Sequence, residues 1–416
     1  MTTATLDKPT APTLAEYEKV IGHQRIDRLQ RLAGKLKGKT LTHVNSTKEG
    51  GGVAEILNRA VPLLNELGVS TDWQVVEGNP EFFKATKAFH NGLQGNDVVL
   101  TARMREAYQA VNEENAKRLR LEADVVFIHD PQPAALIQHY PKRGKWLWRC
   151  HIDASRPNRT VWKFLRQYVA RYEASVFSMP AFSQSLPHPQ YIVHPSIDPL
   201  SDKNRDLSDE EVNGVMEKLG IPRDKPLVLQ VSRFDRFKDP LGVVKAFQMV
   251  RKSRPCRLVL AGGGATDDPE GLEVMAEVKN AVGNDPDIHI LLLPSDSHFE
   301  INALQRAAHV IVQKSLKEGF GLTVTEALWK GKPVVGGATG GITLQVHNYH
   351  TGFLVHSPEG AAYRIRYLLS RPEDVSRMGK TAREFVREHF LITRQVQDYM
   401  TLMLILLSGE TREIFI

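Results

Sequence analysis

From residue 40 onward the chain alternates short apolar runs with stretches in which apolar residues recur every three or four positions. The short runs, bounded by turn residues, predict strands, and the longer periodic stretches predict amphipathic helices. Six strands are predicted in the first half, at residues 41–45, 72–76, 124–129, 146–151, 175–178 and 191–194. A helix is predicted over residues 53–67, and helical patterns separate most of the other strands.

The second half repeats this alternation after a stretch rich in Pro, Asp and Ser at residues 194–209. Its strands are predicted at residues 227–231, 257–261, 288–293, 310–313, 333–336 and 352–355, and its helices begin near Pro240, Pro269, Phe299, Thr323 and Pro358. Strands that alternate with helices indicate βαβ units and a parallel sheet. The predicted fold class is therefore α/β, with two doubly wound, Rossmann-like domains that face a deep cleft.

The stretch at residues 194–209 predicts the boundary between the two domains. We expect an N-terminal domain over residues 1–198 and a C-terminal domain over residues 199–390. A terminal helix is predicted over residues 373–388, with an interruption at 389–393 and a continuation to about residue 407. We expect this last segment, residues 391–416, to cross back to the first domain.

Composition narrows the class of protein. The 416 residues are 42% hydrophobic and 25% charged, and no apolar run reaches the roughly 18 residues that a membrane helix needs. The two cysteines, Cys150 and Cys256, form no CxxC pattern, which argues against a zinc site and a disulfide scaffold. With no secretion signal at the N-terminus, we expect a cytoplasmic protein without a membrane partner.

The net charge of +6 suits the binding of phosphate-bearing small molecules. The densest basic stretch, residues 25–39, has apolar residues at helical spacing and therefore predicts a solvated amphipathic helix. Because aromatic residues are not interleaved with the basic ones, we expect no nucleic-acid partner.

The most informative segment is Glu318-Gly-Phe-Gly-Leu-Thr-Val-Thr-Glu326. Gly319 and Gly321 let the backbone turn tightly and approach a ligand, and the helix predicted to follow aims free N–H groups at it. The two carboxylates can accept hydrogen bonds from sugar hydroxyls. The alternative is a helix-capping acidic residue together with a solvated one.

A second segment, residues 232–240, follows the strand predicted at residues 227–231. Asp239 and Pro240 are suited to the N-cap and first position of a helix. Arg233 and Lys238 therefore lie on a loop at the carboxyl end of a strand, where a guanidinium and an ammonium can hold phosphate oxygens. The alternative is two solvated charges on a loop.

The first half carries further candidates. Three glycines, at positions 50–52, follow the first strand and open a helix, although they form neither a Walker A nor a GxGxxG pattern. His129 and His151 are each predicted to end a strand and each is closely followed by an aspartate, which places them at the edge where ligands bind. Both histidines could equally be structural. Gly340 and Gly341 are points of close approach without an assigned role.

Taken together, these segments resemble the family 4 retaining glycosyltransferases of GT-B fold. The resemblance is carried by Arg233 and Lys238, the Glu318–Glu326 segment, and the segments at residues 331–335, 340–341 and 352–355. More narrowly, the segments at residues 43–55, 129–133 and 148–153 resemble the trehalose synthase branch, and trehalose phosphorylases carry similar segments.

The resemblance implies roles position by position. Arg233 and Lys238 match the pair that neutralises the leaving diphosphate, Glu318 meets donor hydroxyls, Glu326 holds the ribose, and His151 lies near the 6-hydroxyl of the donor sugar. Other donor-side residues are Gly51, Gly52, Gly319, Phe320, Gly321 and Leu322. Acceptor-side residues are Asn45, Gly50, Glu55, Asp130 and Asp153.

The implied reaction is the reversible, retaining formation of α,α-trehalose from a nucleoside-diphosphate glucose and free glucose. The resemblance implies no required cofactor and no metal for the diphosphate, with Mg²⁺ at most stimulatory.

Alternatives are a trehalose phosphorylase, another nucleotide-sugar-dependent transferase of the family, and a non-enzymatic nucleotide- or glycan-binding protein; an epimerase on the same fold is less favoured. The nucleobase stays open, with contacts expected near Leu293 and Pro294, and so does the oligomeric state, for which a homodimer is one option.

Overall fold

A computed structural model of the chain describes residues 12–49, 51–263 and 269–409. The described residues form two compact units. The first unit contains the residues up to Val193 together with those from Ile392 onward, and the second contains His194–Leu391.

The first unit is built on one sheet of six strands. They are β1 (Thr40–Asn45), β2 (Ser70–Val75), β3 (Val125–His129), β4 (Lys145–Arg149), β5 (Ala174–Phe177) and β6 (Gln190–Ile192). All neighbouring strands are parallel, in the order β2-β1-β3-β4-β5-β6. The direction of strand addition changes between β1 and β3, so their carboxyl ends flank a topological switch point, where ligands bind in open α/β sheets.

Seven helices of this unit precede or connect its strands. They are α1 (Leu14–Ile21), α2 (His23–Lys35), α3 (Gly52–Glu66), α4 (Pro80–Leu93), α5 (Ala102–Arg118), α6 (Leu136–His139) and α7 (Arg159–Val169). Side-chain oxygens cap the starts of several of these helices. For example, Asn79 accepts a hydrogen bond from Phe82 N at the start of α4, and Asn158 accepts from Val161 N at the start of α7. A continuous core that includes Phe89, Trp146 and Trp148 fills one side of the sheet.

The second unit also has a sheet of six strands. They are β7 (Leu227–Val231), β8 (Arg257–Gly262), β9 (Ile288–Leu292), β10 (Val310–Gln313), β11 (Val334–Gly337) and β12 (Gly352–Val355). The strands are parallel in the order β12-β11-β10-β7-β8-β9. Here the switch point lies between β7 and β10, the strands that precede the two segments singled out in the sequence.

The helices of the second unit are α8 (Asp209–Lys218), α9 (Pro240–Arg251), α10 (Pro269–Val282), α11 (His298–Ala307), α12 (Leu322–Trp329), α13 (Ile342–Gln345), α14 (Pro358–Leu369) and α15 (Pro372–His389). Proline starts four of them, because its fixed φ suits the first helical turn. Short 3₁₀ turns occur at Pro180–Phe182 and Arg236–Lys238.

The last helix, α16 (Ile392–Ser408), packs against α2 and α3 and thus belongs to the first unit. The helical conformation is interrupted at Phe390 and Leu391, between α15 and α16. Leu391 forms an isolated β-bridge with Ile197. No helix in the described ranges is long and apolar enough to cross a bilayer.

All twelve predicted strands are present, and their ends differ from the prediction by at most two residues. One difference affects a candidate residue. We expected His151 to end a strand, but β4 ends at Arg149, and His151 lies in the loop two residues further on. The parallel-sheet α/β fold is confirmed for both units.

Candidate functional site

The loop after β7 is shaped by Asp239. This residue adopts a left-handed conformation with φ 49°, and its carboxylate accepts a hydrogen bond of 3.0 Å from Gly242 N at the start of α9. Pro240 is the first residue of α9, as the sequence predicts. Lys238 therefore ends the 3₁₀ turn and is fixed directly ahead of a capped helix.

Lys238 and Glu318 are in direct contact. Lys238 Nζ donates to Glu318 Oε2 at 2.6 Å, and Ser315 Oγ donates to the same oxygen at 3.2 Å. The side chains of Lys238 and Glu318 are only 18% and 9% exposed. Parallel strands β7 and β10 are neighbours, so their loops bring together two predicted site residues that are 80 positions apart.

Arg233 precedes Lys238 on the same loop, and its side chain is much more exposed than those of Lys238 and Glu318. Its side chain is 70% exposed, and its guanidinium forms an ion pair of 3.3 Å with Asp235. Arg233 also lines a cavity at the carboxyl ends of β7, β8 and β9. An accessible guanidinium that lines a cavity is suited to binding an anionic ligand.

The glycine segment starts α12. Gly321 is the N-cap residue, and its φ of 85° lies in the left-handed region that favours glycine. Leu322 is the first helical residue, and Glu326 lies in the second turn of α12. Phe320 is buried, and its ring packs against those of His194 and Phe390, so this side chain anchors the loop.

Gly340 and Gly341, for which the sequence suggested no role, pack directly against the same segment. A Cβ on Gly340 would lie 1.7 Å from the carbonyl oxygen of Glu318, and one on Gly341 would lie 2.5 Å from the Cα of Phe320. Gly341 N donates to Gly319 O at 3.0 Å. These glycines therefore allow a close backbone contact that holds the Glu318 loop in place.

Glu326 is almost completely buried, with 1% of its surface exposed. Its Oε1 forms an ion pair of 3.1 Å with Lys203, whereas Oε2 has no hydrogen-bond partner in the part of the chain that the structure describes. Behind it, burial lowers the pKa of Lys330 to about 7. A buried carboxylate oxygen without a donor is costly unless a ligand hydroxyl supplies one.

The cavity lies next to Glu326, because Lys203 and Thr323 both line it. Its lining also includes Leu293 and Pro294, where the sequence led us to expect contacts to a nucleobase. The remaining lining residues are Val231, Ser232, Gly262, Gly263, Ser295, Ser297, His298 and Ile301. The lining thus combines basic side chains, small polar groups and apolar side chains.

In the first unit, three histidines form a hydrogen-bonded chain at the switch point. His43 Nδ1 lies 2.9 Å from His129 Nε2, and His129 Nδ1 lies 3.0 Å from His151 Nε2. Burial lowers the pKa of His43 to about 3, and it lowers the pKa of His129 and His151 well below the usual range. All three rings are therefore neutral near pH 7, and His43, which the sequence did not single out, is part of the cluster.

Asp130 and Asp153 hold the loops beside these histidines. Asp130 has a φ of 64°, and its carboxylate accepts a hydrogen bond of 2.8 Å from His151 N. Burial raises the pKa of Asp130 to about 6. Asp153 accepts from Ser155 N at 2.9 Å. In this structure, both residues therefore shape the His151 loop.

The other first-unit candidates lie around the start of α3. Gly51 is the N-cap residue with φ 81°, Gly52 is the first helical residue, and Glu55 lies in the first turn. Asn45, at the end of β1, donates to Thr47 O at 2.7 Å and accepts from Trp73 Nε1 at 2.8 Å. Gly50 lies outside the described residues. The roles predicted for all of these positions remain predictions.

Comparisons with known proteins define the class. The family model "Glycosyl transferases group 1" matches residues 213–385, and the model "Trehalose synthase, N-terminal domain" matches residues 43–184. Among solved structures, an α,α-trehalose-phosphate synthase (UDP-forming) from Burkholderia xenovorans superposes with a TM-score of 0.69 at 15% identity, covering 88% of this chain and 100% of that one. The fold is therefore that of the GT-B glycosyltransferases, as the sequence predicted.

Relatives in sequence narrow the family. A trehalose synthase from Pyrococcus horikoshii is 46% identical over 94% of this chain and 95% of that protein. Another from Rubrobacter xylanophilus is 42% identical over 96% and 98%. A trehalose phosphorylase from Pleurotus pulmonarius is 29% identical and is covered over only 54% of its length. The chain belongs to the trehalose synthase family of glycosyltransferases.

Proposed function

We propose that this protein is a retaining hexosyltransferase that forms α,α-trehalose from a nucleoside-diphosphate glucose and free glucose, in a reversible reaction. The observation that supports binding of the donor is that the Lys238–Glu318 pair and the cavity lined by Arg233 and Lys203 both lie at the carboxyl ends of strands in the second unit. Membership of the trehalose synthase family supports the acceptor half.

Lys238 and Arg233 are proposed to stabilise the leaving group. When the bond between the anomeric carbon and the diphosphate oxygen breaks, negative charge develops on that oxygen. Lys238 is held by Glu318 at 2.6 Å, so it is already oriented before the ligand arrives. Preorganised charge of this kind stabilises a transition state without reorganisation.

Glu326 is proposed to hold the nucleotide by its ribose. Its buried Oε2 can accept a hydrogen bond but has no donor among the described residues. A ribose hydroxyl is proposed to be that donor. The neighbouring wall at Leu293 and Pro294 is apolar and suited to a flat base, with Ser295 and Ser297 available for polar contacts.

Retention is proposed to follow from displacement on one face of the sugar. The hydroxyl of the acceptor glucose attacks the anomeric carbon on the face from which the diphosphate departs. The hydroxyl proton passes to the departing phosphate oxygen, so atoms and charge balance without a covalent sugar–protein intermediate. His151, neutral near pH 7, is proposed to contact the 6-hydroxyl of the donor sugar.

The reverse reaction tests whether the group that accepts glucose from trehalose is a nucleoside diphosphate or inorganic phosphate. Purified protein is mixed with trehalose and either a nucleoside diphosphate or inorganic phosphate. Formation of a nucleotide glucose with the diphosphate alone supports the proposal. Formation of glucose 1-phosphate with inorganic phosphate would instead establish the phosphorylase alternative, in which Arg233 and Lys238 bind free phosphate. Binding of a nucleotide glucose without turnover would indicate a non-enzymatic binding protein.

A further inference from the structure

A second ion pair lies directly beside the contact between Lys238 and Glu318. Lys314, the first residue after β10, donates to the Asp239 carboxylate. The side chain of Lys314 is only 5% exposed, and that of Asp239 is 19% exposed. Burying an ammonium costs free energy unless a carboxylate pairs with it. The ion pair is therefore a structural part of this loop.

Three further features of the chain serve to place the Asp239 carboxylate. The residue itself adopts the left-handed region at φ 49°, which Asp tolerates better than most residues. Pro240 fixes the backbone that follows it. Gly242 leaves room for the carboxylate, because a Cβ at that position would lie 2.1 Å from Asp239 Oδ2.

Backbone contacts tie the same two loops together. Leu316 N donates to Phe237 O at 2.7 Å, and Gln230 Nε2 donates to Lys238 O at 2.8 Å. The backbone of Lys238 is therefore held by Gln230 and also by Asp235, whose Oδ1 accepts from Lys238 N at 3.0 Å. The Lys238 ammonium contacts the Glu318 carboxylate, whereas the carboxylate of the adjacent Asp239 is paired with Lys314.

We infer that Lys314 and Asp239 are positioning residues: their buried ion pair occupies the Asp239 carboxylate and so keeps the Lys238 ammonium directed at Glu318 and the donor diphosphate. This inference rests on the proposed function of Lys238. Without Lys314, the unpaired carboxylate of Asp239 attracts the adjacent Lys238. Without Asp239, the unpaired Lys314 competes for Glu318.

The test is a double-mutant comparison of Lys314→Met, Asp239→Asn and the variant that carries both changes. Asn retains the capping oxygen and tolerates the left-handed backbone, so Asp239→Asn removes chiefly the charge. We expect each single change to lower kcat roughly tenfold, with a much smaller effect on KM for the donor. We expect the double variant to recover most of the loss, because neither charge is then unpaired.

Lys317→Met is the matched control. Lys317 is an exposed lysine on the same loop, with its ammonium over the Phe237 ring at 5.2 Å, and its removal should leave kcat unchanged. Circular dichroism identifies any variant that is unfolded. If Lys314→Met does not fold, Asp239→Asn and the double variant still form a decisive pair.

Two outcomes overturn the inference. One is normal kcat in the single variants, which together with a loss of stability would mark a merely structural pair. The other is a double variant that is as impaired as the worse single one. The proposed function is judged separately by Lys238→Ala. If that variant retains normal turnover, the phosphate site itself is wrong; if it is inactive while Lys314→Met is normal, only the inference fails.

Discussion

Lys238, Glu318, Arg233 and Glu326 differ in ways that suggest different functions. Lys238 and Glu318 are already paired and largely buried, Arg233 is accessible, and Glu326 is buried with one oxygen lacking a donor among the described residues. A cation that is already held in place can stabilise negative charge that develops in the transition state. A buried acceptor without a donor can instead bind a ligand hydroxyl that is present in both the ground state and the transition state.

Arg233→Ala and Lys238→Ala should each lower turnover by on the order of 10²–10³, the usual effect of removing one preorganised charged donor. Initial rates at saturating donor and acceptor measure this. Arg236→Ala is the matched control, because Arg236 lies on the same turn but faces Glu277 on the surface. Near-normal rates in both test variants would refute the diphosphate assignment.

Glu326 and Glu318 should give opposite kinetic patterns. Glu326→Ala should mainly raise KM for the donor, because a ribose contact is made in the ground and transition states alike. Glu318→Ala should mainly lower kcat, because it also leaves Lys238 without its partner. Measurements of kcat and KM for both variants, with calorimetry of nucleoside-diphosphate binding, test this prediction. The reverse pattern would mean that the roles of Glu318 and Glu326 are exchanged.

At the scale of elements, the site is held by contacts that bring loops very close together. The backbone of Gly340 and Gly341 lies against that of Glu318 and Phe320, and the ion pairs of Lys238 and Lys314 join the loops after β7 and β10. Hydrogen bonds between the first-unit histidines join β1, the end of β3 and the loop after β4. Changes to Gly340, Gly341 or Lys314, which have no proposed ligand contact, should therefore still alter activity or stability.

Gly340→Ala should displace the Glu318 loop, because the added Cβ would lie 1.7 Å from the Glu318 carbonyl oxygen and φ is 47°. We expect a loss of at least tenfold in kcat, together with a destabilisation of about 1–3 kcal/mol. Rates and urea unfolding measure the two effects. Gly214→Ala in α8 is the control, because its Cβ would meet nothing within 4 Å. Equal behaviour of the two variants would show that the loop does not depend on Gly340.

The histidine chain predicts a pH dependence of stability. The folded-state pKa of His43 is about 3, below that of an unfolded histidine, so below about pH 6.5 the unfolded state binds a proton that the folded state does not. Stability should therefore fall as the pH falls, by up to about 1.4 kcal/mol per pH unit for each such histidine. Asp130 opposes this, because its raised pKa of about 6 lets the folded state bind a proton first.

His43→Gln should make this dependence less steep by roughly 1 kcal/mol per pH unit. Urea unfolding at pH 7 and pH 5.5 measures the difference, with His350→Gln, at an exposed position, as the control. An unchanged slope in His43→Gln would mean that this ring is not held neutral in the folded protein.

The sequence predicted elements better than contacts. Apolar runs and capping residues depend on neighbours in the chain, so all twelve strands and the cap at Asp239 could be found from local pattern. The pair Lys314–Asp239 and the His43–His129 contact join residues 75 and 86 positions apart, and a single sequence carries no sign of such pairing. The role of Gly340 likewise depends on which backbone it meets.

At the scale of the whole molecule, the chain builds one doubly wound unit, continues into a second after Val193, and returns to the first from Ile392 onward. Each unit presents chemically distinct side chains at its own switch point: neutral histidines in the first, and an ion-paired lysine with a buried carboxylate in the second. The ion-paired lysine and the buried carboxylate fit the proposal that the second unit binds the nucleotide sugar.

The most direct test of the central claim is the structure of the product. The protein is incubated with a nucleotide-activated α-glucose and free glucose, and the disaccharide is examined by NMR. The account predicts the non-reducing α,α-1,1 disaccharide, with two equivalent α-anomeric protons and no reducing end. A reducing disaccharide, or transfer only to a phosphorylated sugar or a polymer, would contradict the claim that free glucose is the acceptor.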